Sequence, residues 1–165
     1  MFSKKIFLTC AVLLCVACSP KFDWREVRGT EAPYSILMPG KPASFSKEMQ
    51  LAGITLKMTM TATEAGGVNF AVGSAKLGDP GQAGIVIEAM KTGMIHNIQG
   101  QVTSTNTAGN DSIEVHGKLQ NGTPVLMVGR FLIRGNWVYQ VVAIGTEKAL
   151  TREVIDTYMT SLKTN

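Results

Sequence analysis

The sequence predicts an α+β fold, a mostly antiparallel sheet of six or seven strands flanked by one mid-chain helix and one C-terminal helix. Three observations predict it. Apolar residues alternate with threonine and lysine through residues 54–63, the two-residue period of a strand with one buried and one wet face. Within residues 81–98, Val86, Met90, Met94 and Ile98 recur every four positions, the spacing of one helix face. Residues 125–133 and 137–144 are apolar at nearly every position, which marks strands covered on both faces.

Each element follows in chain order. Ile54, Leu56, Met58, Met60 and Ala62 form one face of the first clear strand, with Thr55, Lys57, Thr59, Thr61 and Thr63 opposite. Gly66-Gly67 turns the chain, and residues 68–76 return as a hairpin partner with Val68, Phe70 and Val72 on one face. Asp79-Pro80 is a helix start signal and Gly100 a stop, with Ala89 and Gly93 beside the apolar stripe between them. Polar strands at 101–107 and 112–118 are separated by Gly109-Asn110-Asp111, and Asn121-Gly122 turns the chain again.

The two most apolar strands are joined at Gly135-Asn136, where glycine in first place suits a type II′ turn. Arg130 and Gln140 are the exceptions within them. Leu150, Val154, Tyr158 and Leu162, with Ile155 and Met159 alongside, give the closing amphipathic helix. Packing in layers then puts the helices on the two faces of the sheet.

The N-terminus is of another kind. Lys4 and Lys5 precede an apolar run over residues 6–17, broken only by Thr9. Such a run is shorter than the roughly 20 residues a spanning helix needs and fits the apolar core of an export signal. Its end, Cys15-Val16-Ala17-Cys18, resembles the lipobox of bacterial lipoproteins, with Cys15 where leucine is usual. That resemblance implies a cleaved signal at 1–17 and a lipidated Cys18. It also implies a diacylglycerol thioether and an N-acyl chain such as palmitate, and a short tether over 18–21. One globular domain then fills 22–165. Ser19 after the cysteine implies the outer membrane, with the domain facing the periplasm. The partner implied there is the lipid bilayer, held through acylated Cys18.

Composition agrees. Cys10, Cys15 and Cys18 are the only cysteines, so past residue 18 the chain has no thiol for a disulfide, a nucleophile or a metal. Loss of Lys4 and Lys5 with the signal leaves 14 basic against 12 acidic residues, from a formal net charge of +4 for the whole chain. The basic residues are scattered singly, which argues against nucleic acid as a partner. Three residues between Cys18 and Phe22 reach about 10 Å when extended, so the domain is expected close to the membrane surface.

One further resemblance rests on the order of elements. Trp24, then Tyr34-Ser35-Ile36-Leu37-Met38-Pro39-Gly40-Lys41-Pro42, is similar to the opening of PsbP/Mog1-like α/β/α domains. The hairpin over 53–75, the mid-chain helix, Arg130-Phe131, Gly135-Asn136-Trp137-Val138-Tyr139-Gln140-Val141 and the closing helix continue it. It implies an α/β/α sandwich and shifts the functional expectation toward accessory or binding roles. Fold does not imply function.

Several residue patterns invite chemistry. Ser44…Lys47, Ser104…Asn106 and Lys91-Thr92-Gly93 match the three strings of penicillin-binding enzymes. Their order is wrong, and Lys91-Thr92-Gly93 falls in the helical pattern, so coincidence is expected. Met58 and Met60 suggest a thioether site for Cu(I), yet both continue an apolar strand face and read as core filling. His96 and His116 lack ligand spacing with Asp111 or Glu114 and read as solvated. Ser74 and Lys76 share a strand face and read as surface neighbours. Lys41, between Pro39-Gly40 and Pro42, is an exposed cation on a rigid turn and a candidate partner-facing residue.

These readings lead to one expectation: a membrane-anchored envelope lipoprotein, not an enzyme, serving as an accessory or binding module for a periplasmic or membrane protein partner. No cofactor and no metal are expected. The alternative is a small-molecule-binding or enzymatic domain with a pocket between sheet and helix.

Overall fold

The computed structural model describes residues 21–106 and 112–164. Ten strands and two helices follow one another in these segments. β1 (Trp24–Arg28), β2 (Tyr34–Pro39), β3 (Ala43–Leu51), β4 (Ile54–Ala65) and β5 (Val68–Lys76) come first. A 3-10 turn (Pro80–Gln82) opens onto α1 (Ala83–Asn97). β6 (Gln101–Asn106), β7 (Ser112–Lys118), β8 (Pro124–Arg134) and β9 (Trp137–Gly145) precede α2 (Arg152–Thr160) and a short β10 (Lys163–Thr164).

Seven strands form one antiparallel sheet in the order β3-β4-β5-β9-β8-β7-β6. Its central strand, β9, is buried at every position from Val138 to Ala143, as an apolar run covered on both faces must be. The β3–β4, β4–β5 and β8–β9 hairpins close in two-residue loops. Gly66 and Gly67 both have positive φ (60° and 78°), the conformation of a type I′ turn. At the β8–β9 loop only Gly135 does (φ 57°), which fits the expected type II′.

The expectation of a single sheet is corrected. β1, β2 and β10 form a separate three-stranded antiparallel sheet, β1-β2-β10. Tyr34, Ile36 and Met38 alternate along β2 and are all buried, so this small sheet needs an apolar surface beneath it. It finds one beside α2. Together they cover the face of the large sheet that carries Val68, Phe70, Val72, Val128, Tyr139 and Val141. Phe22 and Trp24 close that core edge-on against Phe70, at ring-centroid distances of 6.2 and 5.8 Å.

α1 covers the opposite face, burying Val86, Ile87 and Met90 against Val115, Met127 and Val138. Its entry matches the sequence signal: Asp79 accepts from the Gly81 N–H at 2.8 Å, and Pro80 takes the first position of the turn. Gln99 (φ 48°) ends the helix, and the Gly100 N–H returns to the Ile95 carbonyl at 2.9 Å. The two helices thus flank the sheet on both sides. No helix among the described residues is long and apolar enough to cross a membrane.

Candidate functional site

α1 lies chiefly over β8 and β9. The edge of the large sheet overhangs it, because β3 and β4 continue the sheet beyond the helix. Between the overhang and the helix runs a groove of about 300 Å³.

Strand register builds the floor. In antiparallel pairs, residues directly opposite share a face. Phe45 opposes Met60, Met60 opposes Gly73, and Gly73 opposes Gln140, giving one row across four strands. The next row is Lys47, Met58, Ala75 and Val138. Gly73 lets its neighbours meet: a Cβ there would lie 2.7 Å from Gln140 Cγ and 2.8 Å from Met60 Sδ, closer than carbon contacts allow.

The helix supplies the other wall. Ala89, Gly93 and Asn97 fall four apart, as do Met90 and Met94, so one stripe of α1 faces the groove. Ala89 and Gly93 leave it recessed, and a Cβ at Gly93 would meet nothing within 4 Å. Met49 and Leu51 on β3 complete the lining, which holds five methionines: Met49, Met58, Met60, Met90 and Met94.

Polar groups are few and placed. Lys47 alone of the lining residues carries a charge, and among the described residues it has no ion-pair partner. Gln140 is only 8% exposed, and its amide Nε2 donates to Met60 Sδ at 3.7 Å. A thioether is a weak acceptor, so this buried amide is poorly satisfied by the protein's own groups.

The other sequence candidates are placed as follows. Cys18 lies outside the described residues, as do residues 107–111, Asp111 among them. Lys41 is exposed on its turn, its carbonyl accepting from Thr63 Oγ1 at 3.5 Å. The penicillin-binding strings fall apart in space. Ser44 and Lys47 sit on opposite faces of β3, where Ser44 Oγ and Thr61 Oγ1 are 2.8 Å apart. Lys91-Thr92-Gly93 is helical in α1, and Ser104 belongs to β6 at the other edge of the sheet. Ser74 is corrected from a surface position: it is buried between Thr59 and Tyr139 in the central sheet, while Lys76 is exposed.

His96 and His116 are both exposed. His116 Nδ1 lies 2.9 Å from Glu147 Oε1, and Glu114 pairs with Arg152 at 2.8 Å. Among the described residues, no three acidic, histidine or cysteine side chains gather as metal ligands would. Met58 and Met60 do fill the apolar face as expected, yet they also form part of the groove wall. The sequence reading missed Phe45, Lys47 and Met49 as site residues. The available signal was their alternation with Ser44, Ser46, Glu48 and Gln50.

Comparison with known proteins supports the architecture. No family model matches the chain, and no curated protein matches it in sequence. In three dimensions it is similar to the solution structure of cyanobacterial PsbP (CyanoP) from Synechocystis sp. PCC 6803. The TM-score is 0.51 over 92% of this chain and 97% of that one, at 10% sequence identity. The class defined is therefore a PsbP-like α+β domain, and at that identity the likeness shows the fold alone.

Proposed function

We propose that this chain is an envelope lipoprotein, anchored in the outer membrane through acylated Cys18 and facing the periplasm, whose domain is a non-catalytic binding module. Support for the anchor comes from the Cys15-Val16-Ala17-Cys18 string and from the absence of any later cysteine. Support for binding comes from one observation, the methionine-rich groove between α1 and the β3–β4 edge. Its lining carries no acid and no histidine for proton transfer, while its volume suits a ligand. An accessory role toward an envelope protein partner, with Lys41 as a contact, belongs to the same proposal. Of the two kinds of occupant, the groove favours a small molecule.

The test has two arms. Radiolabelled palmitate should enter the wild-type protein and not the Cys18→Ala variant; equal labelling of both overturns the anchor. Native mass spectrometry of the full chain released from membranes should show a bound small molecule that the Gly93→Phe variant lacks. A wild-type spectrum identical to that of Gly93→Phe overturns the groove as the binding site.

A further inference from the structure

We infer that the groove binds a single-chain anionic amphiphile, its apolar chain along the thioethers and its anionic group at Lys47. The inference rests on reading the groove as a binding site and adds the chemical class of its ligand.

Shape argues for a chain. The walls are one stripe of α1 from Ala89 to Asn97, about 12 Å at 1.5 Å per residue, and the β3 edge from Phe45 to Leu51, about 20 Å at 3.4 Å per residue. A volume of about 300 Å³ lies at the lower end of the range for small-molecule sites. That is room for one chain in an elongated trough.

Chemistry argues for an apolar body. Unbranched thioether side chains adapt to a flexible partner by changing rotamer. Each methylene that leaves water for such a surface adds to the affinity. Phe45, 60% exposed, and Met49, 38% exposed, extend the apolar wall to the mouth. Both are large side chains left in water on an edge strand whose other face carries Ser44 and Ser46 in hydroxyl pairs with Thr61 and Thr59.

Charge argues for an anion. Lys47 stands directly across from Met58 at the outer side of the trough, with no acidic residue in the lining. A fixed ammonium there opposes a soft metal cation among the thioethers and favours a carboxylate or phosphate. Gln140, buried inward of Lys47, offers its amide to a polar atom such as an ester oxygen, a better acceptor than Met60 Sδ. Fatty acids and lysophospholipids share this chemistry.

The experiment uses the full acylated chain in phosphatidylcholine nanodiscs, irradiated with a diazirine-bearing fatty acid, with labelled segments located by mass spectrometry. The expected result is labelling within residues 45–60 and 89–97. Gly93→Phe, which fills open space in the trough, should abolish it, with circular dichroism verifying the fold. Lys47→Glu should lower labelling by up to about fivefold, the effect of one exposed charge, and should leave labelling by a diazirine fatty alcohol unchanged. Competition by unlabelled laurate or by lysophosphatidylglycerol identifies which source binds.

Label confined to the N-terminal anchor, or groove label unaffected by Gly93→Phe, overturns the assignment. So does a native spectrum in which the groove ligand is not an amphiphile, and in that case the binding function itself stands.

Discussion

The hydroxyl of Tyr158 donates to the carbonyl oxygen of Ala71 at 2.9 Å, joining the last helix to the interior of the large sheet. Tyr158 has no exposed surface, and its ring meets Phe70 edge-on at 5.0 Å. Removing the hydroxyl alone, as in Tyr158→Phe, should cost about 1 kcal/mol, the net value of a buried hydrogen bond. Tyr158→Ala also leaves a cavity and should cost about 3–5 kcal/mol, by analogy with other aromatic truncations. Urea unfolding of both variants checks this, with the Phe variant keeping the wild-type slope.

All three tyrosines report on alkaline stability. Burial raises the pKa of Tyr34, Tyr139 and, most strongly, Tyr158 above the ordinary value of 10.0. A tyrosine is neutral when protonated, so the fold favours the protonated form. In the unfolded chain the same groups ionise near pH 10. The stability they contribute is therefore fully present below about pH 10 and is lost as pH rises through the folded values. Absorbance of tyrosinate and circular dichroism followed together should change in one coincident step; phenolate appearing near pH 10 with the fold intact would contradict it.

Arg130 interrupts the apolar run of β8 because it has a partner at the end of α2. Its Nη1 donates to the Met159 carbonyl at 2.7 Å. The last carbonyls of a helix lack partners within the helix, and a cation there also meets the negative end of its dipole. Arg130→Met should cost about 1.5–3 kcal/mol, the range for a bond to a charged group. Hydrogen exchange should show the loss concentrated in α2.

The β3–β4 loop carries a removable strain. Ala52 has φ 50° and Gly53 φ 79°, so the two-residue loop between Leu51 and Ile54 asks its first residue for a left-handed conformation. Alanine pays roughly 1–2 kcal/mol there, and asparagine tolerates it better. Ala52→Asn should raise the melting temperature by the equivalent of up to about 1 kcal/mol, and Ala52→Val should lower it. Thermal unfolding measures both.

Much of the fold was legible because hydrophobic period is a local property. The alternation over 54–63 and 68–76 became the β4–β5 hairpin, and the stripe Val86, Met90, Met94 became α1. β3 was harder. Eight of its nine residues are exposed, so burial left little imprint on its composition, and the first clear strand signal begins only at Ile54. Gln140 looked like a blemish in an apolar strand, since nothing local says that Met60 and Gly73 lie beside it.

By itself the sequence determined the strand and helix periods, the turn at Gly135-Asn136 and the want of any cysteine after Cys18, each read directly along the chain. Only the tertiary structure decided that β1, β2 and β10 leave the main sheet to cover one of its faces, and that α1 stops short of the opposite edge. The groove exists because of that shortfall. Its residues come from β3, β4, α1 and β9, and what brings them together is the burial of two apolar faces by segments distant in sequence.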